Sequence, residues 1–559
     1  MKVCVHGQGE ITLTQKDYVA TGGEGSVYAK GATAYKVYTD PARALPLGKI
    51  AELAPIADPN VVKPERALLD PKTHAVVGYT MRFVQNAIPL CTLFTRTYRE
   101  REGLDHQAML GLVLRLQALV RHVHEAGVLI VDLNEMNLLA DRGFKEVYGI
   151  DVDRYQTASY RATAIMPSER DWKVPGHDFT ELSDWFSFAI LAFTMFTGIH
   201  PYKGKHPTVH GLEERMKAGI SVFDPDVSVP KVTYPLDVIP GNYRAWLEAV
   251  LQGGHRLPPP AAPGAAVPLV LIARTVVGTS GLDIALVLSL QSPILGYAES
   301  GGISVAWTAD GTFVGTRLVS RTTAREVGFS PKGNRPLLAW IEAGELRLFD
   351  AAGLREVPLA QRADDLMEHG GRLYIRSCDR IVEVVLTDVA GGVIASPRVA
   401  VNVLEHATRM FAGVALQNLG GVAYASVFPR AGAAHQVRVP DLEGYTVVDA
   451  RCDGRVLMIV GAKGGQYDRL VYILSESYDS CALARKVEDV TPAGLNFVTL
   501  DSGVCVHLNE DEDIEISSAG SPKVRVVESP PLGNDMRLVK HQGRVAFVRG
   551  NDVSSMRLK

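Results

Sequence analysis

Apolar and polar positions follow three successive rhythms along the chain. Residues 2–40 and 72–85 alternate in short stretches, the period of half-buried strands. From His106 to Ala126 and from Asp184 to Thr197 the apolar positions recur every three or four residues, which predicts long helices. Beyond the proline-rich stretch Leu257 to Pro268 the helical period is almost lost, and short apolar runs bounded by Gly, Asp and Asn continue to the end. That stretch can continue neither a helix nor a central strand, so it reads as a semi-rigid linker. The expected organisation is a first domain at 1–257, with a β-rich lobe at 1–84 and a helical lobe at 85–257. A linker at 258–268 and an all-β domain at 269–559 follow.

Seven runs in the last domain look alike, beginning at Gly302, Pro336, Gly371, Gly421, Gly454, Gly494 and Gly543. Most lead through a polar turn into a second strand. Their spacing averages about 40 residues, the period of a four-stranded propeller blade. A seven-bladed β-propeller is the favoured architecture, with six or eight blades or two packed β-sandwiches as alternatives. The whole chain is thus expected to be multidomain, an α+β bilobal unit followed by an all-β unit.

Composition narrows the function classes. The 559 residues carry 58 basic and 62 acidic side chains, a formal net charge of −4, which argues against a strongly cationic nucleic-acid or membrane binder. The six cysteines show no C-x-x-C pair and no zinc-finger spacing, so a structural metal site is not expected and a reducing, cytoplasmic compartment is. The most apolar helix-length run, Trp185 to Ile199, is shorter than the ~20 residues of a membrane span and predicts a buried core helix.

Three segments of the first domain carry candidate chemistry. Gly22-Gly23-Glu24-Gly25 sits between two strand-like stretches, with Lys36 on the next strand. Glycines there could serve only a tight turn. They could also let backbone N–H groups close over phosphates, with a lysine one strand away to reach them. Further on, Asp132 and Asn137 stand five positions apart, and Asp151 follows within a hairpin's length. Two aspartates and an asparagine so spaced suit a magnesium and general-base site.

Together these ordered elements resemble the protein kinase superfamily, and more closely its bacterial YegI-like serine/threonine branch, in which the metal-binding aspartate lies in an Asp-x-Asp. The resemblance covers about residues 10–258. It implies ATP and Mg2+ as the nucleotide and its metal, with Gly22, Gly23 and Gly25 in the Gly-rich loop. By the same resemblance Val27 and Ala34 roof the adenine, Leu139 floors it, and the hinge lies near Met81 and Phe83. Lys36 would hold the phosphates, Asp132 would be the catalytic base, and Asn137 and Asp151 would bind magnesium. Met166-Pro-Ser-Glu169 looks like the element that closes the activation segment, with Arg256 as the partner of Glu169. Asp184 would hold the catalytic-loop backbone, and Glu52, with Glu65 as its competitor, would pair with Lys36.

The chain departs from the family pattern at two informative places. Ile130 and Val131 replace the usual His-Arg before the catalytic aspartate, so no arginine waits there for a phosphorylated activation segment. Asn134 stands where a lysine usually neutralises the transferring phosphoryl group, and it supplies no charge. The expected function is therefore an atypical ATP-dependent serine/threonine protein kinase whose propeller recruits protein substrates or partners, with no specific nucleic acid and no membrane. The alternatives are a pseudokinase or nucleotide-binding scaffold, and a kinase fold that transfers AMP or phosphorylates a small molecule.

Overall fold

In the computed structural model, which describes residues 1–162, 164–261, 282–429, 432–518, 521–527, 533 and 535–558, the early alternating residues form one seven-stranded antiparallel sheet. Its strands are β1 (Lys2–Val5), β2 (Gly9–Thr12), β3 (Tyr18–Thr21), β4 (Gly25–Lys30), β5 (Thr33–Tyr38), β6 (Arg66–Leu69) and β7 (Val76–Arg82), in the order β2-β1-β6-β7-β5-β4-β3. Two glycines are required by this packing. A Cβ on Gly25 would lie 2.3 Å from the Val37 carbonyl oxygen, and one on Gly78 would lie 2.0 Å from that of Lys36. The short helix α1 (Leu47–Leu53) lies between β5 and β6.

A helical part follows, with α2 (Arg96–Glu102), α3 (His106–Glu125), α4 (Glu181–Thr197), α5 (Leu212–Ala218) and α6 (Gly241–Leu247). The small sheet of β8 (Ile88–Pro89), β9 (Leu138–Ala140) and β10 (Val147–Gly149) bridges the two parts. Asp105 starts α3 by accepting the Ala108 N–H at 2.8 Å. Leu112, Val113, Leu116, Leu119, Val120 and Val123 then bury one stripe of it. In contrast α4 is buried all round from Ser183 to Thr197 and stops at Gly198, whose φ of +77° suits glycine. Its apolar character is that of a core helix; among the described residues no helix is long and apolar enough to cross a membrane.

The described residues of the C-terminal region are all-β and form seven four-stranded antiparallel sheets. Six are sequential, over residues 294–320, 326–356, 365–402, 408–439, 446–487 and 496–527. In the seventh, Leu282–Ser289 pairs with Asp552–Leu558, so the two ends of the region meet in one sheet. The recurring apolar runs do not all occupy the same rank. Those at Gly302, Pro336, Gly371, Gly454 and Gly543 lead into second strands. The run after Gly421 is instead the third strand of its sheet, Val422–Val427, and that at Gly494 contains the first, Asn496–Thr499. A shared turn explains the misplacement of Gly421. Its N–H donates to Asn418 at 2.9 Å, as those of Gly302 and Gly371 do to Glu299 and Glu368 at 2.7 and 2.6 Å. The same Gly-Gly turn can join strands one and two or strands two and three.

The two regions share a hydrophobic core. Leu191 of α4 and Val460, Tyr467 and Phe497 of the β region belong to one buried cluster. Ion pairs from Lys203 to Asp489 (2.6 Å), Arg325 to Glu102 (2.8 Å) and Arg142 to Asp365 (3.1 Å) join the surfaces around it. Of the expected linker, residues 262–268 lie outside the described residues; Pro260 is fixed by the Gln117 amide, which donates to its carbonyl at 2.8 Å.

Candidate functional site

The antiparallel register sets Lys36 on β5 opposite Tyr79 on β7, with Tyr38 two residues on and thus on the same face. All three side chains converge on Asp153. Lys36 Nζ lies 3.1 Å from both Asp153 carboxylate oxygens and 3.1 Å from Asp151 Oδ1. The Tyr38 and Tyr79 hydroxyls donate to Asp153 at 2.7 and 2.8 Å, and Lys49 Nζ donates to its backbone carbonyl at 2.6 Å. Burial works against ionisation of Asp153, but Lys36 and the two hydroxyls outweigh it and hold the carboxyl below its ordinary pKa. Burial likewise disfavours the charged Lys36, and Asp151 and Asp153 overcome it, so the ammonium is retained.

This arrangement corrects one expectation. Glu52 does not pair with Lys36: it accepts the Ser159 N–H at 3.1 Å, on the exposed side of α1. Asp153, two residues beyond Asp151, takes that position from the opposite wall.

Below the cleft, the loop from Ile130 to Asn137 is held from within and from behind. Asp184 accepts the N–H groups of Ile130 and Val131 at 2.8 Å each, and His124 Nε2 lies 2.9 Å from it. Val131 is thereby fixed at a φ of +65°, a conformation a β-branched residue adopts only when its surroundings impose it. Asn134 is fully buried. Its amide donates to the Asp132 carbonyl at 3.1 Å, and its side-chain oxygen accepts the N–H groups of Met136 and Asn137 at 2.9 and 3.1 Å. It shapes the loop and directs no polar atom into the cleft.

Asp132 Oδ1 accepts the Met166 N–H at 2.8 Å, and its Oδ2 accepts from Asn137 Nδ2 at 3.2 Å. The Ile150 N–H donates to the Asn137 carbonyl at 2.9 Å, which ties that loop to the residue before Asp151. Asp151 itself has a φ of +56°. The Asn137 amide nitrogen is engaged by Asp132, and among the described residues its side-chain oxygen meets no donor. That oxygen and the Asp151 carboxylate are hard oxygen donors of the kind magnesium takes.

A cavity of about 560 Å³ adjoins these groups; one wall is the apolar set Val27, Ala34, Met81, Phe83 and Leu139 with Asp151 at its edge, and the rest of its lining includes charged groups such as Arg101, Glu102, Arg142 and Asp365. The Phe83 N–H is engaged by the Ala32 carbonyl at 2.8 Å, so that amide is not offered to a ligand edge. The β region closes the cavity's outer side: His406 meets the Phe83 ring edge-on with centroids 5.2 Å apart. In the hairpin above, Gly22 and Gly23 have open space where a Cβ would sit and no positive φ, so the fold itself does not require glycine there.

A second expectation is also corrected. Arg256 pairs with Asp171, at 2.5 and 2.6 Å to its two carboxylate oxygens, and not with Glu169. Asp171 presents a bidentate acceptor two residues later in the same turn. Glu169 is buried beside Glu135, and burial first, then the Glu135 carboxylate, push its carboxyl well above the ordinary pKa.

Sequence reasoning missed Asp153 and Arg154. The Arg154 guanidinium contacts Glu24 at 3.2 and 3.3 Å and stands 3.6 Å from Asp132. A further group, His206, Asp224 and Asp226, has ligand atoms within 4.8 Å of one another. Its His206 Nδ1 already accepts the Val209 N–H at 3.0 Å, and Asp224 accepts that of Asp226 at 2.9 Å, so these residues shape a turn. No protein-family model matches the chain, and no curated protein matches it.

Proposed function

We propose that the chain is an ATP-dependent serine/threonine protein kinase acting from the cytoplasm, with the β region as a propeller that recruits protein substrates. One observation carries this reading: a buried, charged Lys36 lies beneath a glycine hairpin, in contact with Asp151 and on the same cleft as Asp132 and Asn137, beside a cavity with an apolar wall. Gly22 and Gly23 support it, because glycine there leaves room for phosphates to approach the backbone. In this reading Lys36 holds the α- and β-phosphates, and the apolar walls take the adenine. Asp132 orients the acceptor hydroxyl and takes its proton. Asn137 and Asp151 would hold Mg2+, which when bound offsets charge on the phosphates. For the β region, Met536–His541 touches both Asn496–Thr499 and Ile294–Ser300, which supports seven blades closed into a ring.

Incubating the full chain with labelled ATP, magnesium and acceptor proteins tests the reading. Asp132→Asn is expected to lower transfer by about 10²–10⁴-fold, and Lys36→Met to weaken nucleotide binding. Equal labelling by wild type and Asp132→Asn would remove Asp132 as the base.

One observation favours a second reading, a nucleotide-binding scaffold. The Met166 N–H already fills one oxygen of Asp132, where an acceptor hydroxyl would bind. A thermal shift with Mg-ATP but no transfer to any acceptor would select the scaffold.

A further inference from the structure

We propose that Arg154 supplies the positive charge that the cleft needs on the transferring phosphoryl group, in the role left vacant by Asn134. The inference rests on the kinase reading above. In that reaction the acceptor oxygen attacks the γ-phosphorus of ATP, the bond from that phosphorus to the β–γ bridging oxygen breaks, and ADP leaves. The hydroxyl proton passes to Asp132. Charge spread over the three remaining phosphoryl oxygens has to meet a cation in the cleft.

Three observations point to Arg154. Asn134 cannot help, because both ends of its amide are engaged inside its own loop. Lys36 is matched to Asp151 and Asp153 at the back of the cleft, with its side chain 6% exposed. Arg154 is also paired, with Glu24 and Asp132, but it differs from Lys36 in exposure. Its side chain is 34% exposed, and its guanidinium spans the gap between Glu24 of the glycine hairpin and the Asp132 carboxylate. A group bound under that hairpin and facing Asp132 lies within reach of the planar fork, which matches phosphate oxygens two at a time. The turn Val152–Arg154 that aims it follows directly from the left-handed Asp151. A bland role remains to be separated, namely a latch joining the hairpin to the loop.

The test uses the full chain as wild type, Arg154→Gln, Arg154→Lys and Lys36→Met. Binding of Mg-ATP and Mg-ADP is measured by calorimetric titration, and transfer of labelled γ-phosphate to casein is measured alongside. The wild type is expected to prefer ATP over ADP, and Arg154→Gln to lose about tenfold or more of that preference with ADP affinity within about twofold. Transfer should fall by about 10²–10³-fold, with Arg154→Lys recovering part of both. Arg154→Gln that keeps the preference overturns the proposal. So does a variant that loses ATP and ADP affinity equally, or one that lowers only the melting temperature, since each is what a latch predicts. If the wild type binds but never transfers, the ATP-over-ADP difference still decides the role of Arg154 while the kinase reading fails. If the wild type binds neither nucleotide, both fall. Lys36→Met, expected to weaken ATP and ADP alike, distinguishes a general phosphate contact from one directed at the γ-phosphoryl.

Discussion

Two buried carboxyl clusters, one beside the loop from Ile130 to Asn137 and one that includes its Glu135, are built on opposite electrostatic terms. In the cleft, Asp153 meets Lys36 and two tyrosine hydroxyls and is kept ionised. At the seam with the β region, Glu169 meets Glu135 and Ser168, and Tyr467 donates to Glu135 at 2.7 Å. The nearby Lys203 is paired with Asp489 instead. Burial therefore wins at Glu169 and favours the neutral acid, whereas a matched cation wins at Asp153. The cleft cluster thus holds fixed charge where a phosphate-bearing ligand is proposed, whereas a neutral acid is favoured at Glu169, inside the ion pairs that join the two regions.

The sharpest way to break this comparison is Asp153→Ala. It leaves Lys36 buried with half of its matched charge and strands the Tyr38 and Tyr79 hydroxyls. A loss of about 3–5 kcal/mol is expected from urea denaturation, the cost of breaking a buried pair from one side. A loss under 1 kcal/mol would mean that Asp151 alone suffices. Its pH dependence has a definite sign. A carboxyl held below its ordinary pKa contributes stability that is present above about pH 4 and is lost as pH falls through the native value.

Glu169 predicts the reverse. Its raised native pKa means that the unfolded chain releases a proton the native state keeps. Its contribution is complete below about pH 4.3 and declines as pH rises toward the native value, by at most about 1.4 kcal/mol per pH unit. Glu169→Gln keeps the shape and can still donate to Glu135, so the variant should show a flatter stability profile from pH 5 upward. Superimposable profiles would place an ionised carboxylate at the seam and end the contrast with the cleft.

How much of this was legible in the sequence differs between the two clusters. Lys36, Asp132 and Asp151 stand out in the sequence because each belongs to a local pattern of glycines, loop and strand. Asp153 does not, since one acid of an Asp-x-Asp reads equally well as solvated. A signal existed in the sheet: a lysine followed two residues later by Tyr38 and paired across strands with Tyr79 needs an acid on that face. Arg154 carries no pattern of its own, and only the turn after Asp151 aims it. The choice of Asp171 over Glu169 by Arg256 is a matter of two residues within one turn, below the resolution of motif spacing. The seven-fold count of apolar runs agreed with seven sheets, although two runs mark other strands, because strand pairing obscures which turn a Gly-Gly belongs to. Nothing in the sequence marked the seam, for a residue such as Tyr467 finds Glu135 only once both regions have folded.

A matched pair of Tyr→Phe substitutions makes the finest comparison. Each removes one hydroxyl and leaves the ring volume almost unchanged, so packing is held constant. Tyr79→Phe takes a 2.8 Å hydrogen bond from an ionised carboxylate and leaves Lys36 and Tyr38 to support it. Bonds to charged groups contribute about 1.5–3 kcal/mol, and that is the expected loss. Tyr467→Phe takes a 2.7 Å bond from Glu135, whose neighbour Glu169 retains a proton and can donate in its place. The seam can therefore rearrange where the cleft cannot, and about 1 kcal/mol is expected there. Equal losses at the two sites, measured under one buffer at pH 7, would show that the seam carries fixed charge as the cleft does. A larger loss at Tyr467 would go further and make the docking of the β region, and not the cleft, the place where polar contacts hold this protein together.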